Sequence, residues 1–134
     1  MTQGSLDHIA RELRPLARPL SALGEDPKNA RLHGEESVAA IEKSLRAHGQ
    51  RKPIVVKGGV VIAGNGTLRA AKRLGWTSLA CVEYEGSEAH ARAYAIADNR
   101  AAEHATWDPD ALATALREAD EQGLLDATVG MAVT

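Results

Sequence analysis

The sequence predicts an α+β domain in which a small mixed β-sheet carries helices packed on it. Three observations lead there. Two β-branched runs, Ile54-Val55-Val56 and Val60-Val61-Ile62, flank Lys57-Gly58-Gly59 and read as a hairpin. Upstream, Val38, Ile41 and Leu45 recur at helical spacing. A third strand-like run, Leu79 to Tyr84, lies between helical segments, so strands and helices interleave.

The elements follow in order. Residues 1–12 are polar and read as a flexible N-terminus, residues 13–122 as the domain, and residues 123–134 as a C-terminal tail. Leu13 to Leu20 contains Pro15 and Pro19, which exclude a helix and a central strand and leave an extended edge segment. Asp26-Pro27 opens a turn-rich loop that ends near Arg31. Glu35 to His48 has acids in its first turn, Arg46 and His48 in its last, and Gly49 just beyond, all helix signals. After the hairpin, Ala63-Gly64-Asn65-Gly66-Thr67 leads into a helix beginning at Thr67, with Leu68 and Ala71 on one side. Ser87 caps a helix starting at Glu88, in which Ala91, Tyr94, Ala95 and Ala102 are expected to pack. Asp108-Pro109 forms the N-cap and first residue of a final helix that turns Leu112, Leu116 and Ala119 inward and stops at Gly123.

Composition bounds the function. The 134 residues suit one domain with its own core, and 44% hydrophobic with 25% charged residues is globular usage. Sixteen Lys and Arg against eighteen Asp and Glu leave a net charge of −2, which argues against coating nucleic acid by bulk charge and leaves room for a local basic patch. The single cysteine, Cys81, excludes an internal disulfide and reads as a small core residue. No apolar run approaches a membrane span and no signal-peptide core is present, so the expected setting is cytoplasmic, without a membrane partner.

The glycine corner is the first candidate site. Glycines between a strand and a helix let backbone N–H groups face outward, and the new helix N-terminus adds partial positive charge, a pattern that suits an anion. Thr67 offers a hydroxyl there, while Arg69, near the helix start, opposes the helix dipole unless an anion compensates it. The competing reading is an empty tight turn with positive φ at both glycines. It is not a P-loop, because no Gly-Lys-Ser/Thr follows, and Arg69 stands where a dinucleotide fingerprint needs its third glycine. Asp98-Asn99-Arg100 is the second candidate. An Asp-Asn pair near a helix end can hold Mg2+ beside phosphates or orient water; the alternative is that Asn99 begins to unwind the helix. The histidines lack metal-ligand spacing, and no nucleophile elbow supports a serine triad.

Four segments occur in a recognisable order: Pro27 to Arg31, His48 to Val56, Ile62 to Ala71, and Ala95 to Arg100 followed by Trp107-Asp108. Together they resemble the ParB N-terminal/sulfiredoxin-like domain family, in its phage and mobile-element branch, over Leu13 to Leu116. The resemblance implies a fold whose glycine corner cradles nucleotide phosphates, CTP hydrolysed with Mg2+ in ParB proteins and ATP or ADP in relatives. It assigns Gly64, Asn65, Gly66 and Thr67 to the phosphates with Arg69 beside them, and Arg31, Gln50, Arg51 and Lys52 to the same mouth. It assigns Asp98 and Asn99 to the metal or the water. In the ParB motif Gly-Glu-Arg-Arg-x-Arg-Ala, Gly64, Arg69 and Ala70 match, while Asn65, Gly66 and Thr67 replace Glu-Arg-Arg. No cysteine lies in the corner, which sets the chain apart from sulfiredoxin chemistry. The leading expectation is a nucleotide-binding domain, with nucleotide triphosphatase activity, linked to DNA metabolism. Two alternatives stay open: a metal-dependent DNA nuclease using Asp98 with Glu103 or Asp108, and a non-catalytic adaptor between DNA and a DNA-modifying partner protein. Homodimerisation is left open as well.

Overall fold

A computed structural model describes residues 5–29 and 31–129, so the expectations for the termini lie outside the described residues at 1–4 and 130–134. Five strands, β1 (Ala17–Pro19), β2 (Gly24–Glu25), β3 (Ile54–Lys57), β4 (Val60–Ala63) and β5 (Ser78–Glu83), form one sheet in the order β1-β5-β3-β4-β2. The pairs β1–β5 and β3–β4 are antiparallel, whereas β3–β5 and β2–β4 are parallel. Four helices accompany it: α1 (Glu35–His48), α2 (Asn65–Arg73), α3 (Glu88–His104) and α4 (Pro109–Glu121). The α+β class with a mixed sheet holds.

Local chemistry explains most boundaries. Gly58 and Gly59 both adopt positive φ (57° and 82°), as a two-residue hairpin turn requires, so β3 runs directly into β4. Gly49, at φ 71°, ends α1 with its N–H donating to the Leu45 carbonyl. The Ser87 side chain accepts from His90 N–H at the start of α3, and the Asp108 carboxylate accepts from the Asp110 and Ala111 N–H groups at the start of α4.

Several expectations need correction. Pro15 does not prevent a 3-10 helix over Arg11–Leu16, because its fixed φ fits that geometry; only β1 is the extended edge that the prolines predict. The two-residue strand β2 gave no signal in the sequence. Residues 5–12 are not a loose polar lead-in: Ile9 is 1% exposed and bridges Gln50, whose N–H donates to the His8 carbonyl at 2.7 Å. Part of the predicted C-terminal tail also packs, since a 3-10 turn at Leu125–Thr128 lies against α1 and the Ala127 carbonyl accepts from His48 Nε2 at 2.7 Å. Along α3, Ala91 alone is buried, and Tyr94 and Ala102 are exposed where packing was expected.

The main core gathers Leu20, Leu23, Ile54, Val56, Val61, Leu68, Ala71, Leu79 and Cys81 between the sheet and α2. A second cluster, Val38, Leu45 and Ala70, joins α1 to α2, and Trp76 packs on both. Burial raises the Cys81 thiol above its ordinary pKa, consistent with a core role.

Gln50 is the main polar exception. It is 1% exposed, and its side-chain amide behaves as an extra peptide unit beside β5: Oε1 accepts the Ala80 N–H at 2.8 Å, and Nε2 donates to the Ala80 and Lys52 carbonyls at 3.0 and 2.9 Å. This removes Gln50 from the proposed mouth. Replacing it with Ala strands a buried N–H and two carbonyls, so Gln50→Ala is expected to lower unfolding stability by about 1–3 kcal/mol. Arg51→Ala, at an exposed position, should stay within about 0.5 kcal/mol of the parent. Urea denaturation midpoints of the two variants check both.

Candidate functional site

The corner is tighter than the sequence implied. β4 ends at Ala63, Gly64 alone takes the left-handed conformation (φ 112°, ψ 21°), and α2 begins at once with Asn65. Gly66 therefore lies inside the helix and lacks the positive φ that the competing reading of an empty turn requires of it. Gly64 is required twice over. Its φ disfavours any side chain, and a Cβ there would lie 2.4 Å from Ile54 Cγ2. The first intrahelical bond runs from Leu68 N–H to the Gly64 carbonyl, and no side chain caps the start. The amides of Asn65, Gly66 and Thr67 consequently have no acceptor one turn back, and they coincide with the positive end of the helix dipole.

Asn65 and Gly66 contribute backbone, not side chain. The Asn65 amide is buried at 4% exposure, where Oδ1 accepts the Asp26 N–H at 3.1 Å and Nδ2 donates to the Val61 carbonyl at 2.8 Å. Gly66 is bare because its space is taken: a Cβ would lie 2.6 Å from Ile41 Cδ1 and 2.8 Å from His33 Cε1.

Gly64 and Thr67 open onto a cleft of about 610 Å3 that Lys52, Val55, Val82, Tyr94 and Asp98 also line. Four of the residues singled out from the sequence, Lys52, Gly64, Thr67 and Asp98, thus come together. Neither Lys52 nor Asp98 forms an ion pair among the described residues.

The other predicted residues do not join them. Arg69 and Arg31 line a second cleft, of about 570 Å3, with Asn65 and His33. Arg69 Nε is 2.7 Å from Glu25 Oε1, and Nη1 donates to the His33 carbonyl. The anion that its position called for is therefore Glu25, and Arg69 needs no ligand to explain it. Arg31 Nη1 donates to Asn99 Oδ1 at 3.1 Å, while Asn99 Nδ2 donates to the Ala95 carbonyl at 3.0 Å. Asn99 does not unwind α3, which continues to His104. Its carbonyl oxygen faces a guanidinium, so Asn99 is a poor metal ligand here, and of the Asp98-Asn99 pair only Asp98 lines the 610 Å3 cleft. Arg51 is also diverted, its Nε donating to the His48 carbonyl at the end of α1.

Three residues escaped the sequence reading. Asp26 is the hinge of the loop before α1: its N–H meets Asn65, Oδ1 accepts the Lys28 N–H, and Oδ2 is 3.2 Å from Arg92 Nη1 of α3. Asp-Pro signalled the local turn but not the partners across the fold. Tyr94 was expected in the core and instead lines the cleft. His33, half-buried over Gly66 with Nδ1 3.0 Å from Ser37 Oγ, lacked any spacing that would mark it.

Solved structures share this architecture. The C-terminally truncated chromosome-partitioning protein ParB from Caulobacter crescentus complexed with CTP-gamma-S aligns with a TM-score of 0.70 at 23% identity, over 87% of this chain and 71% of that one. The same truncated protein complexed to the centromeric parS site gives a TM-score of 0.52 at 23% identity, over 87% and 65%. A Pnob8-like ParB-N domain gives 0.50 at 26% identity, over 59% of this chain and 32% of that one. The fold is therefore that of ParB N-terminal domains, and the chain spans about a third to seven-tenths of those structures. No protein-family model matches the sequence, nor does any curated protein.

The electrostatics of the second cleft are testable through His33. Burial lowers its pKa, Arg31 and then Arg69 lower it further, and Glu25 opposes them. With a folded pKa below the unfolded value of about 6.5, the neutral ring's contribution is complete above that pH and is lost as pH falls through the folded pKa. An NMR titration of the His33 imidazole should give a midpoint below about 6.5. His33→Gln should flatten the acid-side loss of stability; a midpoint at or above the free value would contradict this electrostatic account.

Proposed function

We propose that this domain is a ParB-like module that binds a nucleoside di- or triphosphate, CTP or ATP, by its phosphates at the Gly64–Thr67 corner. The observation that carries the proposal is the uncapped start of α2, where Gly64 and Thr67 open onto a cleft that Lys52 and Asp98 also line. The ligand class is supported by the shared fold with a ParB protein complexed with CTP-gamma-S.

The residues divide the work by charge. The amides of residues 65–67 donate to phosphate oxygens, the Thr67 hydroxyl adds a donor, and the Lys52 ammonium neutralises charge without a competing carboxylate. A Mg2+ ion bound to the phosphates fits Asp98, because such ions commonly use one or two carboxylates and leave the remaining positions to phosphate and water. Asn99 is excluded from that set by its bond to Arg31. When bound, Mg2+ would neutralise phosphate charge.

Binding ranks ahead of turnover in this reading. Among the described residues Asp98 is the only carboxylate lining the cleft and no histidine lines it, so one group would have to serve as both metal ligand and general base. The nuclease reading is weaker still, since no cluster of three or more His, Cys, Asp or Glu able to hold a metal occurs among the described residues. A role beside DNA, in a phage or mobile element, rests on the sequence resemblance. A link to DNA is also supported by the fold shared with a ParB complexed to parS.

Calorimetry with CTP, ATP, GTP and ADP, with and without Mg2+, tests the reading through a variant that spares the fold. Thr67 is the third residue of α2, where an acid supports the helix dipole. Thr67→Glu should therefore keep or raise the melting temperature while weakening nucleotide binding by about tenfold or more, equivalent to roughly 1.4 kcal/mol. Absence of binding by the parent protein to all four nucleotides at millimolar concentration would refute the proposal.

A further inference from the structure

Asp98 reaches the 610 Å3 cleft from a stretch of α3 that the core does not hold. Ala91 is the buried residue of this helix, and every position from Arg92 to His104 is partly or fully exposed. Apolar packing therefore fixes the start of α3 against β4 and leaves its second half to other forces. Tyr94 adds a ring contact with Tyr84, about one turn before Asp98. Beyond Tyr94, one hydrogen bond ties the helix to another part of the fold among the described residues. Arg31 Nη1 donates to Asn99 Oδ1 at 3.1 Å, while the remaining side-chain bonds of this stretch stay within α3. Asn99 Nδ2 donates to the Ala95 carbonyl, so the amide is held at both ends. Arg31 itself belongs to the loop that Asp26 pins to Asn65 at the start of α2. Asp98 and Asn99 are neighbours about 100° apart around the helix axis. A bond on Asn99 thus sets the rotation of α3, and that rotation decides whether Asp98 faces the cleft.

We propose that Arg31 is a positioning residue: through Asn99 it holds Asp98 at the cleft, so the Mg2+-dependent part of nucleotide affinity depends on a side chain that lines a different cleft. This inference rests on the nucleotide reading above and gives Arg31 a role other than contact with the phosphates. Without the guanidinium, Asn99 Oδ1 returns to water and the second half of α3 keeps only its own intrahelical bonds. A segment with few buried contacts opens locally at low cost, and Asp98 then leaves its place beside the corner.

The test is a double-mutant cycle of Arg31→Ala, Asn99→Leu and the double variant. Calorimetry with CTP, with and without Mg2+, reads binding, and amide hydrogen exchange reads the ligand-free protein. Arg31 is exposed and Asn99 half-buried, so the variants should fold, which circular dichroism verifies; Asn99→Ala replaces Asn99→Leu if the larger side chain disturbs the helix. In the parent, CTP binding should be tightened about tenfold or more by Mg2+. In each single variant that gain should shrink to about twofold or less, and the double variant should be no worse than either single one. CTP affinity without Mg2+ should not change. Amides of residues 93–104 should exchange faster, and equally so, in the two single variants. A fall in Mg2+-free affinity in Arg31→Ala would make Arg31 a phosphate contact, and additive losses would make the two residues independent; either result overturns the positioning role. Unchanged exchange along α3, or parent CTP binding indifferent to Mg2+, would overturn it as well and leave the phosphate corner standing. Absence of CTP binding by the parent would remove the nucleotide reading, and the role of Arg31 with it.

Discussion

A single left-handed residue decides where everything else in this domain can go. Gly64 converts strand to helix in one step, close enough to Ile54 that even a methyl group would collide with β3. Because the turn is that abrupt, α2 starts beside the end of β4. Asn65 is then near enough for its buried amide to donate back to Val61 and accept from Asp26. From Asp26 the restraint passes to α3 through Arg92, and Arg31 in the same loop reaches Asn99 one helical stretch further on. The corner, the loop and the long helix are thus held by a chain of specific polar contacts; the apolar core lies mainly between the sheet and α2.

That arrangement sorts the charges around the corner into two groups. Arg69, Arg73 and Arg92 are each paired with carboxylates of the same chain, so their charge stabilises the scaffold and adds little attraction for an external anion. Lys52 in the cleft is unpaired among the described residues, and so is Asp98. The positive potential at the corner accordingly comes from helix amides and one ammonium. Arginines are absent at positions 65–67, where the resembling ParB motif carries two of them. A site built this way depends on geometry more than on net charge, which agrees with a chain whose overall charge is slightly negative.

The sequence was most informative where a local rule acts alone. The Gly-Gly hairpin, the capped helix from Glu35 to His48 and the Asp108-Pro109 start each declare themselves within a few residues, and the structure contains all three. Long-range contacts were illegible for the same reason. Nothing beside Gln50 reveals that its amide completes the edge of Ala80, and nothing near Arg69 reveals Glu25 as its counter-ion. Both residues looked like ligand groups because their partners are distant in sequence. The Asp98-Asn99 pair failed differently: adjacent helix residues face different directions, so one reaches the cleft and the other reaches Arg31. Gly66 was misread because a glycine within a helix, kept bare by the His33 ring, leaves the same trace as a glycine in a turn.

The central claim is that the start of α2 receives phosphate. Its most direct test is an amide NMR titration of the protein with a nucleoside triphosphate and Mg2+. The account predicts that the N–H resonances of Asn65, Gly66 and Thr67 shift first and furthest, downfield as new acceptors are gained. Saturating nucleotide that leaves those three amides unmoved, or that shifts only residues around Arg31 and Arg69, would contradict it.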